Sequence, residues 1–181
     1  MFTINETTIP SCYEMIPAIR TDSRGKFVKT FHEDFFRQHG LAVDFREEYY
    51  TVSQRGVLRG LHFQLPPAAH AKLVYCAHGE VLDVVVDLRQ GSPTYRKHYS
   101  VLLSTDKANQ IYVPIGLAHG FFVVSETATV TYKVTSVYAP DLDSGILWNS
   151  AGITWPTGLP ILSERDQSFS SLEKFVTPFR Y

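Results

Sequence analysis

Apolar positions along this chain alternate with polar ones or gather into short runs, and turn residues separate the runs. Residues 26–31 (KFVKTF), 44–53 (DFREEYYTVS), 56–64 (GVLRGLHFQ), 71–77 (AKLVYCA), 80–88 (EVLDVVVDL), 98–104 (HYSVLLS), 110–114 (QIYVP), 119–125 (HGFFVVS) and 128–136 (ATVTYKVTS) all read as strands. Short strands at roughly even spacing predict an all-β antiparallel sandwich or barrel. The punctuation between them fits, with His78-Gly79, Gly91-Ser92-Pro93 and Pro114-Ile115-Gly116 at turns. One helix is predicted at 32–39, with acidic residues in its first turn and Gly40 after its end, and a second at 168–175.

Composition narrows the class. A chain of 181 residues without a Pro/Ser/Gly-rich linker predicts one domain spanning 1–181. A formal net charge of −1 without a Lys/Arg block argues against nucleic acid as a partner, although local arginines remain able to grip a small phosphorylated ligand. The two cysteines, Cys12 and Cys76, lie in apolar contexts without metal-type spacing, which reads as reduced and structural in a cytoplasmic protein. The start MFTINETTIP lacks a signal-peptide pattern, and no run of 18 apolar residues occurs, so neither secretion nor a membrane span is expected.

Polar groups interrupt the apolar strands at chosen places. Residues 55–72 hold Arg55, Arg59, His62, His70 and Lys72 in a stretch that otherwise reads as buried, His119 follows a turn, and Tyr132 sits within TVTYKVTS. Acid, base and cationic groups on successive strands predict a shared cavity. Singly, each has a plain structural reading: a satisfied core histidine, a snorkelling lysine, a barrel tyrosine. Alternation in 81–88 puts Asp83 and Asp87 on one face, a pair read here as holding backbone and arginine at a turn rather than as an acid/base couple. Arg59 and His62 fall on opposite faces of an ideal strand, so a bulge at Gly60 is needed to bring both to one cavity. His70, His78 and His98 read as turn or surface residues.

The blocks RGKFVKTF, GVLRGLHFQ, AKLV, DVVVDLR, SPT, PIGLAHGF, TYK, GILWN and LSERDQ, in this order over nearly the whole chain, resemble the signature of the dTDP-4-dehydrorhamnose 3,5-epimerase family. The resemblance implies a cupin-type jelly-roll barrel with a few short helices. It also implies a homodimer, acting on a nucleoside-diphosphate 4-keto-6-deoxy sugar without metal or other cofactor. By the same matching His62 is the base, Asp166 its orienting carboxylate, Lys72 the cation at the keto oxygen and Tyr132 the opposed acid. Arg24, Arg59 and His119 contact substrate, and Tyr138, Asp143 and Arg165 belong to the same set. The chemistry is coherent, since a hydrogen next to a ketone can be removed by a neutral imidazole when a cation meets the enolate oxygen.

The chain departs from the family pattern in a cluster. Lys29 stands where glutamate is common, and Glu47 and Tyr49 stand where glutamine and asparagine are. His70 replaces glutamine, Ser150 aspartate, Asp143 glutamate and Arg165 lysine. Lys29 and Glu47 look like a swapped charge pair along the nucleotide and sugar part of the site. These departures bear on two properties, the nucleotide and whether C3, C5 or both are inverted. Three other classes compete. A metal-dependent cupin would need two histidines and a carboxylate close together, where HFQ supplies one histidine. A non-catalytic binder of the same sugars has no use for a base, its aspartate and an opposed acid. A ketoisomerase would begin with the same proton abstraction.

Overall fold

The computed structural model describes residues 2–181. In chain order the elements are β1 (Phe2–Glu6), β2 (Tyr13–Pro17), β3 (Ile19–Asp22), β4 (Gly25–Val28), α1 (Glu33–Gln38), β5 (Glu47–Gln54), β6 (Leu58–Gln64), β7 (Lys72–His78), β8 (Glu80–Asp87), β9 (His98–Ser104), β10 (Gln110–Val113), β11 (Leu117–Val123), β12 (Thr127–Val134), a 3₁₀ turn (Pro140–Leu142), β13 (Asp143–Gly145) and α2 (Glu164–Ser168). A six-stranded sheet in the order β1-β2-β10-β7-β12-β5 faces a five-stranded sheet in the order β13-β6-β11-β8-β9, and β3-β4 forms a separate hairpin. Every pair in these sheets is antiparallel. This is the antiparallel sandwich that the strand pattern predicts and the cupin-type jelly roll that the family resemblance implies.

Period-two alternation decides what each sheet buries. Between the sheets, Val74, Ile111, Val130 and Tyr132 from one wall meet Val81, Val85, Leu103 and Phe121 from the other. The outer faces are also covered. Leu61, Phe63, Val86 and Leu88 pack beneath the C-terminal segment through Leu172 and Phe179, and Leu73, Met15 and Tyr112 pack beneath α1 through Phe36 and Leu41. Each such side chain contributes roughly 1.5–3 kcal/mol by leaving water.

Helix α1 forms where the sequence places it, with His32 as the N-cap accepting from the Phe35 N–H, and Gly40 at φ +67° just beyond its end. The second helix differs. It runs Glu164–Ser168, earlier than the predicted 168–175, because the Ser163 side chain caps it by accepting from the Asp166 N–H and Phe169 is already extended. Strands β1, β2 and β3 are not evident from the pattern. They are only four or five residues long, and pairing rather than alternation defines β1 and β2, Phe2 opposite Pro17 and Tyr112 opposite Tyr13. The 26–31 run yields only β4, whose hairpin is exposed apart from half-buried Val28.

The bulge lies at Gly60. On β11, His119 pairs with His62 and Phe121 with Arg59, so β6 spends three residues where its partner spends two. Arg59 and His62 thereby face the same side. Gly60 has φ +142°, and a Cβ there would lie 2.6 Å from the Gly120 Cα. We expect Gly60→Ala to lower stability by about 3 kcal/mol through backbone strain and clash together. A urea midpoint equal to that of the parent protein would contradict this close approach.

Candidate active site

A cavity of about 370 Å³ opens between the sheets. His62 enters from β6 on the five-stranded wall, whereas Lys72 of β7 and Tyr132 of β12 enter from the six-stranded wall on neighbouring strands. Imidazole, ammonium and phenol therefore surround one space, with imidazole and phenol on opposite walls.

His62 is oriented from behind. Its Nε2 lies 2.8 Å from Asp166 Oδ1, and Asp166 Oδ2 accepts the Gly60 N–H at 3.1 Å, so α2 and the bulge are tied to the imidazole through one carboxylate. Burial opposes ionisation of Asp166, but the hydrogen bonds from His62, Gly60 and Ser163 outweigh it and hold the carboxyl below its usual range. Burial lowers the His62 pKa, Asp166 only partly restores it, and nearby Lys72 and Arg165 push it further down. The imidazole is therefore neutral at neutral pH. With Asp166 ionised, its proton sits on Nε2 and the lone pair of Nδ1 is free to take another.

Lys72 is buried, which brings its ammonium down to about 8 despite Asp143 and Asp83 nearby, and its Nζ donates to the His62 carbonyl at 3.2 Å. Burial first, then Tyr49 and Asp83, raise the Tyr132 phenol well above its ordinary value, so it stays protonated. The Tyr132 ring meets the edge of His119 at 5.9 Å and lies flat on Tyr49 at 4.8 Å. His119 is fixed by its own carboxylate, Nε2 lying 2.8 Å from Asp83 Oδ2, with both residues buried. The turn reading of the aspartate pair thus holds for Asp87, which binds Arg89, Ser92 and Thr94, and is corrected for Asp83, which serves His119. The two carboxylates on one side of the strand parted because Asp83 lies beside His119 of the neighbouring β11, whereas Asp87 ends β8 next to the loop that carries Arg89, Ser92 and Thr94.

Nearer the opening, Arg59 donates from Nε to Ser53 Oγ at 3.0 Å, and Arg165 pairs with Asp143 at 2.7 Å while lying over Phe169. Tyr138 is exposed, and its N–H donates to the Glu47 carboxylate at 2.7 Å. Arg24 and Lys29 are not brought in. Arg24 pairs with Asp22 at 2.6 Å on the exposed hairpin, and Lys29 follows that hairpin, also exposed. The expected Lys29–Glu47 pair does not form within one chain, since Glu47 is engaged by Tyr138 instead.

His70 corrects the sequence reading too. It lines the cavity, bonds to Ser136 Oγ at 3.0 Å through Nδ1, and is driven by burial to about 3, which keeps it neutral. His78 is exposed as expected, and His98 is half-buried against the Ala151 carbonyl. Gln64, unremarked in the sequence, is buried and joins three segments by donating to Ala68 O and Ser136 Oγ and accepting from the Ala139 N–H. Its place two residues beyond His62 on the same strand face was the available signal. Among the described residues no group of three His, Cys, Asp or Glu side chains is arranged to hold a metal ion, and no helix is long and apolar enough to cross a membrane. Cys12 and Cys76 are buried and unpaired.

A sequence profile described as dTDP-4-dehydrorhamnose 3,5-epimerase matches residues 6–174. The dTDP-4-dehydrorhamnose 3,5-epimerase of Shigella flexneri is 41% identical, covering 94% of this chain and 98% of that protein. The crystal structure of dTDP-6-deoxy-D-glucose-3,5-epimerase from Legionella pneumophila, in complex with dTDP-4-keto-L-rhamnose, superposes with a TM-score of 0.95 at 35% identity and covers 100% of this chain and 99% of its own. A 3'-monoepimerase from Streptomyces bikiniensis, in complex with dTDP-quinovose, gives a TM-score of 0.87 at 34% identity over 92% of this chain and 86% of its own. The motif blocks, the two-sheet fold and likeness over essentially full length agree, and the chain belongs to the dTDP-4-dehydrorhamnose 3,5-epimerase family.

Proposed function

We propose that this chain is an isomerase that epimerises a nucleoside-diphosphate 4-keto-6-deoxy sugar in the cavity between its sheets. The observation that carries the reading is the placement of His62 with Asp166 on one wall and Tyr132 with Lys72 on the other. His62 Nδ1 takes the proton from a carbon next to the ketone, and the electron pair of that C–H bond passes to the keto oxygen. Lys72 stabilises the resulting enolate. Tyr132 then returns a proton to the carbon from the opposite face, which inverts the centre, and solvent afterwards restores phenol and imidazole. The Legionella and Streptomyces relatives, whose ligands are dTDP-sugars, support this substrate class.

Arg59 and Arg165 at the opening suit the diphosphate, because guanidinium binds phosphate oxygens in a fork. Tyr138 offers an exposed ring for the base, with Glu47 beside it. Metal has no part in this scheme, since the buried Lys72 ammonium supplies the positive charge that the enolate oxygen needs. Arg24 and Lys29 fit best if the protein is a homodimer whose hairpin β3-β4 reaches the neighbouring subunit's site. Exposed Phe27 on that hairpin, and Tyr50 and Val52 on edge strand β5, supply apolar surface for such an interface. One domain over 1–181, working in the cytoplasm without nucleic acid or membrane, completes the proposal.

Incubation in heavy water with thymidine-, cytidine- and guanosine-linked 4-keto-6-deoxyglucose tests substrate and centre together. Glu47 presents only acceptors, which suit a base edge carrying an amine and repel the two carbonyls of thymine. A polar edge left unpaired costs about 1–3 kcal/mol, so kcat/KM is expected to favour an amine-bearing base about tenfold or more. Tyr49, far bulkier than asparagine, crowds one side of the sugar, so one deuterium is expected rather than two. Preference for the thymidine sugar with deuterium at both C3 and C5 would return the chain to the ordinary activity of its relatives. No deuterium with any of the three would overturn the epimerase reading itself.

A further inference from the structure

The ring of Tyr132 is gripped on two sides. His119, itself locked by Asp83, meets it edge-on with an interplanar angle of 77°, while Tyr49 lies almost parallel to it at 18°. Tyr49 and Tyr132 are a cross-strand pair in the β5-β12 ladder, so the backbone sets the stack. Its outer side is open, since Tyr49 is 41% exposed whereas Tyr132 is 6% exposed. Without Tyr49 the phenol would keep the contact with His119 and its core packing but lose the one ring that lies parallel to it. An aromatic pair in offset contact is attractive beyond the area it buries. Aiming matters here, because proton delivery to carbon tolerates only a fraction of an ångström and roughly 10–20° of error.

We infer that Tyr49 is a positioning residue that holds the Tyr132 phenol on the line of proton delivery, and so sets how often an enolate is inverted rather than returned. Once His62 has taken the proton, the enolate has two fates. His62 can give back a proton on the same face, or Tyr132 can supply one on the other. The His62 side chain is 27% exposed, so its proton exchanges with solvent and same-face return registers as deuterium uptake without inversion. The ratio of inversion to exchange therefore reports the aim of Tyr132. Loss of folded protein lowers both rates equally and leaves that ratio unchanged.

The inference rests on the epimerase reading above. Its test measures inversion and exchange in heavy water for Tyr49→Ala and Tyr49→Phe, with whichever of the three nucleotide-linked 4-keto-6-deoxyglucoses the parent protein turns over fastest. Tyr49→Ala is expected to lower the inversion-to-exchange ratio about tenfold, and Tyr49→Phe, which preserves the ring, to keep it within about twofold of the parent. An unaltered ratio in Tyr49→Ala would overturn the inference while leaving the epimerase reading in place. So would a drop in Tyr49→Phe equal to that in Tyr49→Ala, since the hydroxyl rather than the stack would then be responsible. Absence of any exchange in the parent protein would overturn the epimerase reading and this inference with it.

Discussion

Replacing His62 by asparagine is expected to abolish deuterium uptake from heavy water, at a cost of about 10²–10⁴ in rate, the span that general-base catalysis supplies. Asparagine keeps a hydrogen-bonding side chain toward Asp166 but has no lone pair of comparable basicity where Nδ1 stood, so the enolate never forms. Tyr132→Phe acts later. It removes the proton donor from the opposite wall while leaving His62, Asp166 and Lys72 in place, so exchange persists and inversion falls. The contrast carries the assignment. Parental exchange in His62→Asn would show that another group removes the proton. Equal loss of exchange and inversion in Tyr132→Phe would show that the phenol acts before the enolate rather than after it.

Lys72 should impose the second large effect. Its ammonium is buried in the wall of the cavity, where the proposed mechanism puts the keto oxygen, and removing a single preorganised oxyanion partner typically costs about 10²–10³. Lys72→Met is expected to fall within that range. The pH profile follows from the same burial. His62 must be neutral, so kcat/KM rises with pH through a pKa below the ordinary 6.5, and Lys72 must be charged, so the rate falls as pH climbs through about 8. Tyr132, held well above 10, adds no limb in between. Lys72→Arg keeps a cation that does not titrate in this range, so the upper limb should disappear from its profile even though its rate is lower. An upper limb unchanged in Lys72→Arg would assign that titration to some other group.

Much of this was legible along the chain because local chemistry sets it. Alternation over 80–88 and 128–136 specified strands and their faces, and the acidic residues and Gly40 bracketed α1. Residue types at His62, Lys72 and Tyr132 announced acid/base chemistry, the family resemblance added Asp166, and Gly60 marked the bulge that Arg59 and His62 require. The weaker readings failed where pairing partners are distant. β1 and β2 are defined by each other and by β10, ninety-odd residues away, and α2 by a serine cap placed ahead of a segment whose composition suits a helix slightly later.

Sequence alone therefore determined the fold class, the strand faces and the inventory of reactive groups. Tertiary structure decided which of those groups meet. It turned His70 inward, left Arg24 on an exposed hairpin with Lys29 exposed just after it, and gave Glu47 to Tyr138 rather than to Lys29. It also gave His119 its carboxylate from β8 and stacked Tyr49 on Tyr132. The reason is physical: a strand's period fixes on which side each residue stands, but register and the approach of one sheet to another depend on the whole packed core, and no local stretch of chain encodes them.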